Sequence, residues 1–150
     1  MRDRVATLLL TLWFGAALLA VAVVAPAAFR VLPTRSLAGD LVGAVLPVVF
    51  HSAALVGLVV AWLYRGSGRV IALLAVCMPI TAWLSVFVID RRLSLLRASL
   101  GMPVDALLPQ DPRRALFGAW HVASVLALGV AMAAAATALI VIARRPPAPR

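Results

Sequence analysis

The chain contains no lysine and no glutamate, a single cysteine and a single tyrosine. Only 13% of its 150 residues are charged, against 65% that are hydrophobic, and the mean hydropathy is +1.09. A soluble domain of this length needs far more polar surface, so the scarcity of charge excludes water as the main solvent. The lone Cys77 lies inside an apolar run. It excludes an intrachain disulfide and a multi-thiolate metal site, and it reads as a small buried hydrophobe. No phosphate-cradling glycine loop and no zinc-protease motif is present. Ser52 beside His51 and Ser124 three residues after His121 lack a carboxylate to orient them, so the expectation is that the protein is not an enzyme.

What charge there is falls on arginine and aspartate, giving a net charge of +9. In a soluble protein that excess would suggest nucleic acid. Here the arginines stand at the ends of apolar runs and no basic patch interleaves with exposed aromatics, so membrane lipids are the expected partner and nucleic acid is not.

Four uncharged stretches are long enough to cross the hydrocarbon, which takes roughly 20 helical residues. They cover residues 5–25, 41–64, 70–89 and 115–143. Lipid offers no partner to an open backbone, so each is expected as a helix. The fold class is therefore all-α: a single-domain, integral membrane four-helix bundle with one interfacial amphipathic segment. Arg2, Asp3 and Arg4 precede the first span, Arg30 and Arg35 follow it, and Asp90, Arg91 and Arg92 stop the third. Asp111 followed by Pro112 reads as an N-cap with proline at the first helical position. Arg144 and Arg145 close the fourth span, and Pro146, Pro147 and Pro149 point to a disordered tail over 144–150. Met1–Arg4 with Ala20-Val21-Ala22 resembles a signal peptide, but the uncharged run continues to Phe29, so the first span reads as a retained anchor.

From the end of the third span into the loop 90–114, Ile89, Leu93, Leu96 and Leu100 fall on one helical stripe, with Leu95 and Arg97 imperfectly placed, before Gly101 and Pro103 break it. It is expected either as a helix lying in the interface or as an extension of the third span. Close packing is expected where small residues recur every four positions: Ala16 and Ala20, Ala53 and Gly57, Gly129 and Ala133. Pro47 and Pro79 each remove a backbone hydrogen bond inside a span, a feature of transporter helices and equally of plain kinks. The two halves show no internal repeat. Arginines divide evenly between the two membrane sides, and the short 65–69 turn favours both termini in the cytoplasm.

Two histidines are the main polar groups within the spans. His51 is near the middle of the second, and His121 lies in the outer part of the fourth on a face with Phe117 and Ser124. Together they suggest a b-type haem. Their depths differ by roughly 10 Å, which opposes that reading. His51 is otherwise expected to hydrogen-bond a facing helix, and no cofactor is expected. His121 shares its membrane side with Arg30, Asp40, Asp90, Arg91, Arg92, Arg113 and Arg114. Such a cluster can bind an anion, a headgroup or a metal ion, or can simply anchor helix ends through internal ion pairs. The candidate ligand-binding residues are Arg30, Asp90, Arg91, His121 and Ser124, at a mouth between the first, third and fourth helices.

Several of these pieces form a pattern. Trp13-Phe14-Gly15, the run Ala25-Pro26-Ala27-Ala28-Phe29-Arg30, Ala38-Gly39, Pro47, and Phe117 with His121 and Ser124 resemble the transmembrane protein 205-like family, catalogued in bacteria as domain of unknown function 4149. The similarity runs from about Leu8 to Ala143. It implies a four-helix membrane domain in a bacterial inner membrane and no established reaction. Trp120 and Leu128 stand where the family often has leucine and asparagine, which interrupts any polar network running deeper along the last helix. The functional expectations are a small transport or ligand-binding unit, possible as a homo-oligomer, or a structural accessory protein, with a haem protein as a third reading.

Overall fold

A computed structural model describes residues 1–145; the proline-rich tail expected beyond them lies outside the described residues. Four long helices carry the chain: α1 (Arg2–Val31), α2 (Arg35–Tyr64), α3 (Arg69–Leu100) and α4 (Pro112–Ala143). There is no strand among the described residues. Each helix has 30 or 32 residues and is apolar enough to span a membrane. At 1.5 Å per residue that is about 45–48 Å, against about 30 Å of hydrocarbon, so the arginine-bearing ends stand in the headgroup region. The expected spans 5–25, 41–64, 70–89 and 115–143 are the apolar middles of these helices.

The local stops follow from the sequence. α1 runs through Pro26 by opening a wide turn at Ala20–Val24, in which the Ala25 N–H reaches back to the Ala20 carbonyl. It ends because Leu32 precedes Pro33 and is forced into extended backbone. Thr34 caps α2, its Oγ1 accepting the Leu37 N–H over 3.2 Å. A second wide turn, Leu84–Asp90, carries α3 past the expected stop, and the segment 91–100 is the extension of the third helix rather than a separate interfacial one. Gly101 stops it in the left-handed region, φ 63°. Asp111 caps α4, accepting the Arg113 N–H over 2.9 Å, with Pro112 in the first turn as expected.

Consecutive helices run antiparallel, and α1 packs on α2 and α4 while α3 packs on the other sides of the same two, leaving α1 and α3 diagonal. The core fills one half of the bundle, the half holding both chain ends: Leu10 and Trp13 from α1, Phe50 and Val60 from α2, Met78 from α3, Ala131 and Ala135 from α4. A Cβ on Gly57 would sit 2.6 Å from the Ala75 carbonyl oxygen and 2.7 Å from Pro79 Cδ, so the Ala53–Gly57 pair marks a close crossing between α2 and α3. Trp13 Nε1–H donates to the buried Val49 carbonyl over 3.1 Å. Gly129, Ala133 and Ala16, expected at seams, are exposed. The inward stripe of α4 is instead Ala127, Ala131, Ala134, Ala135 and Ala138. In a helix so rich in alanine, four-residue spacing occurs on several faces and cannot choose among them.

Candidate functional site

The other half of the bundle is not filled. Between α2, α3 and α4, at the end away from the termini, lies a cavity of about 500 Å³. That is the size of an ordinary small-molecule site. Its depth is apolar, walled by Leu46, Pro47 and Phe50 from α2 and Val86 from α3. Its mouth is charged: Arg35 and Asp40 from α2, Asp90 and Arg97 from α3, Asp105 from the connecting loop and Arg114 from α4. Three arginines and three aspartates balance there, with His121 beside them.

Each wall has a local cause. On α4, residues 114, 117, 118, 121 and 124 repeat every three or four positions and so face one way. That stripe ends at Ser124, because Leu128, a turn deeper, is buried in the core where the family resemblance expects asparagine. On α2, Gly39, Gly43 and Pro47 repeat every four residues and make a low wall. The guanidinium of Arg97 lies in that trough, 3.8 Å from where a Cβ on Gly43 would be and 4.0 Å from one on Gly39. The same group sits 5.3 Å from the Phe117 ring centre and 3.8 Å from the Asp40 carboxylate. One side chain of α3 thus meets both α2 and α4 across the mouth. Arg114 is turned to the loop, donating to the Leu107 carbonyl over 3.3 Å. Outside the cavity, Arg113 pairs with Asp111 at 2.7 Å, and its hydrogen bonds hold the Asp111 carboxyl below the usual carboxylate range.

Halfway along α3 the cavity lining includes Ser85, 2% exposed, whose Oγ has no hydrogen-bond partner among the described residues. Nearby helical hydroxyls behave differently: Ser52, Thr81 and Ser94 each bond back to a carbonyl one turn earlier. A buried hydroxyl left open in this way costs free energy unless water or a ligand atom meets it.

Of the residues expected at the site, Asp90, His121 and Ser124 line the cavity. Arg30 and Arg91 do not: Arg30 is exposed near the end of α1, and Arg91 faces a shallow surface depression beside Phe87 and Leu95. The mouth lies between α2, α3 and α4 rather than between α1, α3 and α4, and α1 contributes Phe29 alone to the lining. His51 stands on an exposed face of α2, outside the lining, with Nδ1 2.6 Å from the Pro47 carbonyl of its own helix rather than a facing one. Among the described residues, no group of three or more His, Cys, Asp or Glu is arranged to hold a metal ion. Arg35, Arg97, Asp105 and Ser85 were not singled out from the sequence. The Gly39–Gly43–Pro47 repeat was the available signal for the trough.

A family model described as "Domain of unknown function (DUF4149)" matches residues 8–101, well over half of the chain, and the chain belongs to that family. The matched stretch holds the α2 and α3 walls of the cavity; Phe117, His121 and Ser124 lie beyond it. No curated protein and no solved structure matches the chain.

Proposed function

We propose that the protein is a small membrane binding or transport unit whose ligand occupies the cavity between α2, α3 and α4. The carrying observation is the cavity itself: about 500 Å³, apolar in depth, charged at its mouth, inside a bundle whose other half is tightly packed. Such a shape suits a molecule with an apolar body and a polar head. Pro47, in the α2 wall, removes a backbone hydrogen bond from its helix beside the cavity, a feature found in helices lining transport sites.

The wider frame is also our proposal. The protein sits in a bacterial inner membrane with both termini in the cytoplasm, so the mouth opens on the far side. It is kin to the transmembrane protein 205-like proteins, catalyses no reaction, and works with membrane lipids around it, as a homo-oligomer where copies meet. One observation favours a purely structural role instead: Arg97 alone joins three helices at the mouth.

Thermal unfolding of the detergent-purified protein against a panel of metal ions, anions, lipids and haem separates the two. A ligand at 100 times its dissociation constant adds about 2.7 kcal/mol of stability. A stabilising ligand whose effect disappears in His121→Ala, with the unliganded midpoint retained, supports binding. A flat panel, together with a lowered midpoint in His121→Ala, supports the structural role.

A further inference from the structure

We infer that Arg97 is the anchor for the ligand's head, and that the ligand is an amphiphile headed by a carboxylate. This rests on the reading of the cavity as a ligand site. The guanidinium is held in position by more than its long pairing with Asp40. It lies in the trough left by Gly39 and Gly43 and is stacked at 5.3 Å from the centre of the Phe117 ring. Its carboxylate neighbour Asp40 stands 3.8 Å away, beyond the roughly 2.7–2.9 Å of a formed charge-assisted hydrogen bond. Arg113 shows the contrast on the same membrane side, closing on Asp111 at 2.7 Å. Arg97 is therefore placed while its fork of donors makes no hydrogen bond among the described residues. A planar carboxylate fits that fork with two parallel hydrogen bonds.

The charge balance at the mouth decides what kind of anion enters. Arg35, Arg97 and Arg114 face Asp40, Asp90 and Asp105, so a free dianion gains no net field and meets three carboxylates. An ion with a single charge and an apolar chain avoids that opposition. Its head takes the Arg97 fork and its chain displaces water from the wall formed by Leu46, Phe50 and Val86. The same chemistry is available from a membrane fatty acid or from a soluble carboxylate, and chain length distinguishes them.

The test is equilibrium binding of labelled oleate to the full chain in nanodiscs of zwitterionic lipid, at about pH 8, where a carboxylate is ionised. Competitors are oleyl alcohol, acetate and inorganic phosphate. Oleate is expected to bind, with oleyl alcohol, acetate and phosphate each competing at least about tenfold less well. Arg97→Gln is expected to weaken oleate about tenfold and to erase its advantage over oleyl alcohol, while Arg91→Gln, off the cavity, leaves binding unchanged. Arg97→Lys keeps the charge without the fork and falls between, which covers the case of Arg97→Gln failing to fold. Equal binding of oleate and oleyl alcohol, or wild-type affinity in both Arg97 variants, overturns the head assignment while leaving the cavity a ligand site. Acetate or phosphate displacing oleate as well as oleate itself makes the site one for free anions and overturns the amphiphile. Binding of no probe overturns the head assignment and the ligand reading together.

Discussion

The Tyr64 hydroxyl donates to Asp3 Oδ1 over 2.6 Å, tying the last residue of α2 to the first turn of α1. The ring is fully buried, and the Arg2 and Arg145 guanidiniums lie over it at 4.6 and 5.0 Å from its centre. Gly68 makes room, since a Cβ there would fall 2.5 Å from Tyr64 Cδ1. The ends of α1, α2 and α4 are thus latched at the packed end, opposite the cavity. Tyr64→Phe keeps the packing and removes the bond. It is expected to lower stability by about 1 kcal/mol, a modest value because Asp3 is half exposed. Thermal unfolding in detergent measures it, and Asp3→Asn in the Tyr64→Phe background adds little further.

Two glycines separate packed from open faces. Gly57→Ala forces a methyl group against the Ala75 carbonyl and Pro79, and is expected to cost about 1–3 kcal/mol. Gly129→Ala meets nothing within 4 Å and is expected to be neutral or stabilising by up to about 1 kcal/mol, as alanine is the better helix former. A loss at Gly129 equal to that at Gly57 would mean that the exposed face of α4 is covered in the native protein.

Among the described residues Gly101 is the one in the left-handed region, and it ends the helix that carries Arg97 to the mouth. Gly101→Ala is expected to cost about 1–2 kcal/mol. Hydrogen exchange should show the loss concentrated in the last turns of α3, with the packed half unchanged.

The Asp111 cap gives a pH dependence of known sign. Hydrogen bonds from Arg113 lower its folded carboxyl below the ordinary value of about 3.9. Its contribution is therefore present above that value and fades as the pH falls through the lower folded one. Fraying of the first turn of α4 below about pH 4, absent in Asp111→Asn, is the expected outcome by hydrogen exchange.

The architecture was legible because lipid leaves the chain few choices. Uninterrupted apolar runs flanked by arginine can only be helices, and Asp111-Pro112 and Gly101 announce their ends. The extension of α3 to Leu100 was one of two forms its stripe allowed. The site was legible along α4, where Phe117, His121 and Ser124 share a face by spacing alone. It was not legible across helices. Arg30 and Arg91 match the mouth in depth, and depth says nothing of rotation about the helix axis. Arg97 sits at the edge of its own stripe and enters the cavity only because glycines on another helix make room for it.

The most direct test of the central claim is to fill the cavity without touching the packed half. Gly118→Leu does this, because residue 118 lines the cavity and a Cβ there meets nothing within 4 Å, so Arg97 keeps its trough. Unfolding midpoints of the wild type and of Gly118→Leu are compared with and without oleate in the same nanodiscs. The account predicts an unliganded Gly118→Leu midpoint at or above that of the wild type, and an oleate shift seen in the wild type alone. The same shift in both proteins, or in neither, would contradict it.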